Sequence, residues 1–444
     1  MTTLSGYRHL LPGQLLLGAT LAAGLAASPL ALAESNEAPI RVGILHSLSG
    51  TMAISESTLK DELLMLIEQQ NEAGGLLGRE LEPVVVDPAS DWPLFAEQAR
   101  DLLSGDDRVD VIFGNWTSAS RKAVLPVVEE RNGLLFYPVQ YEGEESSENI
   151  FYTGAAPNQQ AIPAVEYLMA QGVERWALLG TDYVYPRTTN RILETYLKDQ
   201  GVSDEDIMVN YTPFGFSDWQ SIVSEVASFG RQGKSTAIIS TINGDANVPF
   251  YRELSNQGVE ASEIPVMAFS VGEQELTGID AAPLVGHMAA WNYFMSVDSD
   301  ANFDFIDSWI AFNDGDESAV TNDPMEAHYI GFNMWLEAVR KAESVEVDAV
   351  KEAIIGVTVP NLSGDSSAMM PNHHITKPVL IGEIQADGQF SVVWRSPSSI
   401  AGDAWSDYLP DSRNMISDWR APLNCGRLDV SSMRCEDGEP RVSP

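Results

Sequence analysis

The sequence is poor in basic residues, and this shortage excludes whole classes of partner. Lysine and arginine total 26 against 64 aspartates and glutamates, so the formal net charge is −38. Such a surface repels phosphate backbones and anionic lipid, which excludes nucleic-acid binding and docking on an anionic membrane. The acidic residues are scattered rather than gathered in a tail. They therefore indicate a solvated surface, as expected of a protein from a salt-rich habitat.

Long apolar runs are also missing, apart from one near the start of the chain. There a basic start precedes an apolar run over residues 15–27, which Ala31 and Ala33 separate from Glu34. The run is shorter than the about 20 apolar residues of a transmembrane helix. This layout predicts a cleavable secretory signal peptide over residues 1–33. We therefore expect a mature protein free in the periplasm, without direct membrane insertion.

Cysteine is almost absent, since the chain contains only Cys425 and Cys435. In an exported protein, two cysteines separated by a short loop favour a disulfide. Two ligands alone make a poor metal site, and no histidine lies nearby in the sequence. We expect a disulfide within the C-terminal tail, residues 399–444, and neither a metal site nor thiol catalysis there.

From residue 39 onward, β-branched runs alternate with helix-length amphipathic stretches, in two series that break near residues 155–157. Strands that are apolar throughout and interleaved with helices predict parallel sheets covered on both faces. The length of 444 residues also exceeds what one core usually serves. The expected fold is therefore α/β, with two doubly wound parallel-sheet lobes. A hairpin is predicted over residues 378–394.

Ligands of open parallel sheets bind beyond the carboxyl ends of the strands, close to helix amino termini. Five predicted strand ends carry aromatic, hydroxyl, amide and acidic side chains and no lysine or arginine; they are residues 114–118, 137–141, 181–185, 241–245 and 270–273. The predicted ligand-binding residues are Trp116, Thr117, Ser118, Tyr137, Gln140, Tyr183, Tyr185, Asp245 and Glu273.

These side chains suit a small, neutral, polar ligand with several N–H groups. Urea has four N–H donors and one carbonyl acceptor, and each unpaired buried group costs about 1–3 kcal/mol. We expect Thr117, Ser118 and helix N–H groups to donate to the carbonyl. Gln140, Asp245 and Glu273 are expected to accept from the N–H groups. The aromatic rings can sandwich a planar molecule.

Each of these residues also has a structural alternative. Thr117 and Ser118 can cap a helix, the tyrosines can belong to the core, and Asp245 can cap the helix that follows it. The sequence alone leaves these alternatives open for any single residue.

No set of residues resembles a catalytic centre. The nucleophile-elbow, phosphate-loop and dinucleotide motifs are missing. Adjacent histidines at 373–374 lack a third ligand, so we expect a structural or surface role for them. Glu142, Glu144 and Glu145 are expected to form a solvated acidic loop. The chain is therefore predicted to be a binding protein, not an enzyme, and to need no cofactor.

Several segments resemble the type I periplasmic binding proteins of the branched-chain amino-acid and amide group. Within that group the sequence is most similar to the urea-binding component of urea ABC importers. The similar segments are residues 42–53, 114–129, 136–147, 154–160, 180–187, 243–254, 286–294, 357–364 and 371–390. The last two segments are typical of the urea-type branch, and the resemblance covers nearly all of residues 39–397.

The resemblance implies two lobes joined by three crossovers, which close on the ligand like a hinge. Lobe 1 would comprise residues 38–157 and 292–360, and lobe 2 residues 158–291 and 361–398. The family's pocket falls on residues already named: Trp116, Thr117, Ser118, Tyr137, Tyr183 and Tyr185.

The function implied is capture of urea, or of a short aliphatic amide, for the permease of an ABC importer. A branched-chain amino-acid binding protein and a cytoplasmic amide sensor are the alternatives. The first would need an apolar side-chain pocket, and the predicted signal peptide counts against the second.

Overall fold

The computed structural model describes residues 38–106, 108–277 and 279–409, together with the backbone of Leu428–Asp429 and Arg434–Cys435. The predicted signal peptide and Cys425 lie outside the described residues. Cys435 is described only as part of a short antiparallel pair, in which it lies opposite Leu428. The predicted disulfide therefore stays a prediction.

The described residues alternate between strands and helices. The strands are β1 (Ile40–Leu45), β2 (Leu81–Val86), β3 (Val111–Gly114), β4 (Leu135–Tyr137), β5 (Ile150–Tyr152), β6 (Arg175–Thr181), β7 (Ile207–Thr212), β8 (Thr236–Thr241), β9 (Val266–Ala268), β10 (Met288–Trp291), β11 (Thr358–Pro360), β12 (Ser366–Ala368), β13 (Thr376–Lys377), β14 (Leu380–Ile384), β15 (Phe390–Arg395), β16 (Ile400–Ala401), β17 (Leu428–Asp429) and β18 (Arg434–Cys435). The α-helices are α1 (Ala53–Glu72), α2 (Trp92–Leu102), α3 (Ser118–Glu130), α4 (Ala161–Ala170), α5 (Val184–Asp199), α6 (Gln220–Gly230), α7 (Asn247–Asn256), α8 (Glu273–Leu276), α9 (Asp300–Phe312), α10 (Asp323–Ala342) and α11 (Val347–Ile354).

The first lobe is built on a five-stranded sheet in the order β2-β1-β3-β4-β5, and all its neighbouring strands are parallel. Every residue of β3, β4 and β5 is buried, whereas the edge strand β2 is partly exposed. This burial explains why the inner strands are apolar throughout. Helix α10 packs on β4 and α1, so the chain returns to the first lobe after β10.

The second lobe has seven strands in the order β15-β14-β10-β9-β8-β6-β7. Strands β6 to β10 pair in parallel, and the antiparallel hairpin β14–β15 adds to the edge at β10. The predicted α/β class with two parallel-sheet lobes is confirmed. The hairpin is also confirmed, and it makes this second sheet a mixed one.

Asn292 ties together the segments that pass between the sheets. Its side-chain amide donates to Gln159 O at 3.0 Å and to Pro378 O at 2.7 Å. Its backbone N–H donates to Asp323 Oδ1 at 2.8 Å. One side chain thus joins the three crossing segments, and they converge on the start of α10.

His374 has a structural role next to the first sheet. Its ring stacks on Tyr152 with centroids 4.6 Å apart, and its Nε2 lies 2.5 Å from the Tyr141 hydroxyl. Burial lowers the pKa of His374 to about 4, so the ring is neutral at physiological pH. Among the described residues, no helix is both long and apolar enough to cross a membrane.

Candidate functional site

The carboxyl ends of the two sheets face each other, and side chains from one lobe bond directly to the other. Trp116 follows β3, and its Nε1 donates to Asn243 Oδ1 at 3.2 Å, beyond the end of β8. Gln140 follows β4, and its Nε2 donates to Ser270 Oγ at 2.7 Å, beyond β9. The structure is therefore the closed form, with these tips in contact.

Close packing at the end of β3 aims the first of these tips. A Cβ at Gly114 would lie 2.3 Å from the Leu45 carbonyl oxygen, so only glycine allows this approach of β3 to β1. The next residue, Asn115, takes the left-handed conformation with a φ of 71°. Together they turn the chain sharply into α3 and place Trp116 and Ser118 between the lobes.

Two tyrosines at the start of α5 form the second lobe's part of the cluster. The Tyr183 and Tyr185 rings lie 6.2 Å apart, and Tyr183 packs on Phe214 at 4.8 Å. Both contact Ala119 of α3 in one buried apolar group. Burial raises the pKa of each hydroxyl, and nearby Tyr137 raises both further. Both hydroxyls therefore stay neutral and able to donate.

Thr117 adopts its structural alternative, the cap of α3. Its Oγ1 accepts the Ser120 backbone N–H at 3.0 Å. Ser118 differs, because its hydroxyl donates to Glu142 Oε2 at 2.5 Å. The prediction that Ser118 donates its proton to a ligand carbonyl is therefore wrong in this geometry, since a hydroxyl has only one proton.

Tyr137 lies beneath the tip rather than presenting a free face. Its hydroxyl donates to the Trp116 carbonyl oxygen at 2.5 Å, and its ring faces the Arg121 guanidinium at 4.6 Å. The residue therefore fixes the backbone of Trp116.

The acidic loop at 142–145 is buried, so the prediction of a solvated loop is wrong. Glu142 is fully buried, and Glu144 and Glu145 nearly so. Arg121 donates to Glu145 at 2.7 Å and to Glu142 at 3.2 Å, and Lys122 donates to Glu145 at 2.8 Å. The loop packs against two cations of α3, an ion-pair network that charge along the sequence does not reveal.

The structure does not bring the two other predicted acceptors to the tyrosine cluster. Asp245 is exposed at the rim, where its backbone N–H lies 3.4 Å from the Thr51 carbonyl oxygen. Glu273 is buried, but its Oε1 accepts the backbone N–H of Met295, at 2.7 Å, in the segment that follows β10. Burial raises the pKa of Glu273 to about 8.

Several polar atoms of the cluster have unused hydrogen-bonding capacity. Gln140 Oε1, the Tyr185 hydroxyl and both amide atoms of Asn115 are buried and lack a hydrogen-bond partner among the described residues. Asn115, Asn243 and Ser270 are absent from the predicted site residues. All three nevertheless lie in the predicted strand-end segments, which is the signal that could have found them.

Comparison with known proteins matches most of the chain to one family. The profile of the family described as "Periplasmic binding protein domain" matches residues 40–411. The Leu/Ile/Val-binding protein homolog 7 of Brucella melitensis is 23% identical over 398 residues, which cover 84% of this chain and 96% of that protein. A shorter match, 29% identical over 136 residues, reaches a limonene hydroxylase of Geobacillus stearothermophilus and spans 30% of this chain and 24% of that protein.

A solved structure shows the same fold. The solute-binding protein of an ABC transporter from Rhodopseudomonas palustris HaA2, in complex with p-hydroxybenzoic acid, superposes with a TM-score of 0.72. It is 19% identical in sequence, and the match covers 83% of this chain and 99% of that one.

Proposed function

The chain belongs to the periplasmic binding protein domain family, and from this premise we propose that it captures urea or a short aliphatic amide in the periplasm. Its two lobes close on the ligand and present it to the permease of an ABC importer. The observation that carries this proposal is the unused hydrogen-bonding capacity between the lobes.

That capacity is rich in acceptors. Gln140 Oε1 can only accept, and the Tyr185 hydroxyl, which lacks a partner among the described residues, can accept or donate. Ser118 has given its proton to Glu142, so it also faces outward as an acceptor. A ligand with several N–H groups and a single carbonyl matches this set, and urea and primary amides have that composition.

Charge counts against a carboxylate ligand. Arg121 is the cation nearest the cluster, and its guanidinium is already bonded to Glu145, Glu142 and Ser118. A carboxylate placed here would meet two buried glutamates with no spare positive charge. A neutral ligand avoids that repulsion.

Space also favours a small ligand. Trp116 bonds directly to Asn243, and Gln140 to Ser270, so the tips touch across the cleft. A side chain as large as that of leucine would have to separate these pairs.

Calorimetry on the mature protein tests the proposal, with urea, acetamide, formamide, leucine and p-hydroxybenzoate as ligands. We expect urea or an amide to bind and the two carboxylates to give no measurable heat. The Leu/Ile/Val-binding name of the Brucella relative makes leucine the essential comparison. Tight leucine binding together with silence for urea would replace the proposed ligand class.

The sensor alternative is separated by the compartment. Intact mass of the protein from its native host should show a chain that begins at Glu34. Recovery of the uncleaved chain from the cytoplasm would favour an amide sensor over an exported binding protein.

A further inference from the structure

The hydroxyl of Ser118 is fully committed except for one lone pair. It donates to Glu142 Oε2 at 2.5 Å and accepts from Arg121 Nη1 at 3.2 Å. A serine hydroxyl has one proton and two lone pairs. What remains for a ligand is therefore an acceptor, although serine usually offers both functions.

Glu142 is itself held on several sides, so it can impose this direction. Its Oε1 accepts from Arg121 Nη2 at 3.2 Å, and Lys122 Nζ lies 3.9 Å away. The Arg121 guanidinium lies 4.6 Å and 4.5 Å from the ring centroids of Tyr137 and Tyr141. These rings leave the guanidinium little freedom to move.

The backbone around Glu142 is also fixed, by a segment that follows the β14–β15 hairpin. Glu144 N–H donates to the Ala404 carbonyl oxygen at 2.5 Å, and Ser406 N–H donates to Glu144 Oε1 at 3.2 Å. Gly143 has a φ of 69°, and a Cβ there would lie 2.6 Å from the Ala404 oxygen. The close approach requires glycine at this position.

From this geometry we infer that Glu142 is a positioning residue that sets the ligand specificity of the cleft by turning Ser118 into an obligate acceptor. The inference rests on the proposed function, because it assigns a role within the same site. The cleft then selects an N–H group next to Ser118. It rejects a carbonyl or carboxylate oxygen there, because two acceptors would face each other without a proton.

Glu145 supplies a matched control for Glu142. Both carboxylates pair with Arg121 in the same buried network, but only Glu142 bonds to Ser118. Glu142→Gln and Glu145→Gln therefore make the same change in charge and differ in the contact with Ser118. An amide at 142 can donate to Ser118 and release its proton toward the ligand.

The experiment is a double-mutant cycle, read as urea affinity by calorimetry. We expect Ser118→Ala and Glu142→Gln each to weaken urea binding about tenfold or more, and Glu145→Gln to change it less than about threefold. In the Ser118→Ala background, Glu142→Gln should cost no more than Glu145→Gln does, since the contact is already lost. Equal effects of the two Gln variants, or an undiminished effect of Glu142→Gln without Ser118, would overturn the inference.

Two further measurements keep the test decisive. If Glu142→Gln does not fold, Glu142→Asp retains the charge beside Arg121 but shortens the reach to Ser118, and it should weaken urea binding to a similar extent. If the wild type binds neither urea nor amides, the proposed function fails by itself. The positioning role is then decided by crystal structures, in which the Ser118 hydroxyl should turn in Glu142→Gln and stay in Glu145→Gln.

Discussion

The indole nitrogen of Trp116 donates to Asn243 Oδ1 at 3.2 Å, and this bond joins the first lobe to the second. Asn243 is itself fixed, because its Nδ2 donates to the Thr241 carbonyl oxygen at 3.0 Å. The bond exists only when the lobes are closed, so it stabilises the closed form relative to the open one.

Removing this donor should favour the open form. In Trp116→Phe we expect urea affinity to fall about three- to tenfold, since one buried hydrogen bond is lost and Asn243 Oδ1 loses its partner. Small-angle scattering of the ligand-free variant should show a larger radius of gyration. Trp309→Phe is the control, because the buried Trp309 Nε1 has no hydrogen-bond partner among the described residues. Equal affinities in the two variants would contradict a role for the bond in closure.

The Tyr185 hydroxyl provides the sharpest test of the ligand site. Tyr185→Phe keeps the ring and deletes a buried hydroxyl that has no partner among the described residues. We expect about a tenfold loss in urea affinity with little change in the melting temperature, because only a ligand contact is removed. Asp245→Asn, at the exposed rim, should bind urea as the wild type does. The reverse order of effects would move the site from the tyrosines to the rim.

Ser118 and Asp245 show how far the sequence predicts this site. Topology alone places the ends of parallel strands together, and the structure brings Trp116, Gln140 and Tyr185 into one cluster as that rule requires. What each side chain does there depends on partners that are distant in the sequence. A buried Glu142 takes the proton of Ser118, and the exposed turn after β8 leaves Asp245 at the rim.

The fold is more predictable than the site, for a physical reason. Apolar runs such as β3 and β8 are buried along their whole length, so their pattern directly reflects their environment. The acidic loop has the opposite property, because its charges are hidden by Arg121 and Lys122 in another element. Charge along a sequence does not reveal whether an ion pair will bury it.

Salt should stabilise the protein. The 64 acidic residues against 26 basic ones repel one another in the folded state, and salt shortens the range of that repulsion from about 10 Å at 0.1 M to about 3 Å at 1 M. We expect the melting temperature to rise by several degrees over this range of sodium chloride and then level off. The same rise in potassium chloride would confirm screening. A flat or falling curve would show that the repulsion does not limit stability.

Glu273 should make the folded state lose stability as the pH rises above about 5. Burial raises the pKa of this carboxyl group from 4.5 to about 8, so the folded protein keeps a proton that the unfolded chain releases. Stability then falls between these two values and stops falling above the higher one, by on the order of 3–5 kcal/mol at the upper end.

Glu273→Gln cannot lose this proton, and its amide oxygen can still accept the Met295 N–H that Glu273 Oε1 accepts in the wild type. Denaturant unfolding at pH 5, 6.5 and 8 should therefore give a variant that gains on the wild type at each step. The exposed Glu260→Gln serves as the control and should follow the wild type throughout. Glu326, whose pKa burial raises to about 7, contributes the same slope to all three proteins, so it cancels in the difference. Parallel curves for the wild type and Glu273→Gln would show that Glu273 is ionised in the folded state despite its burial.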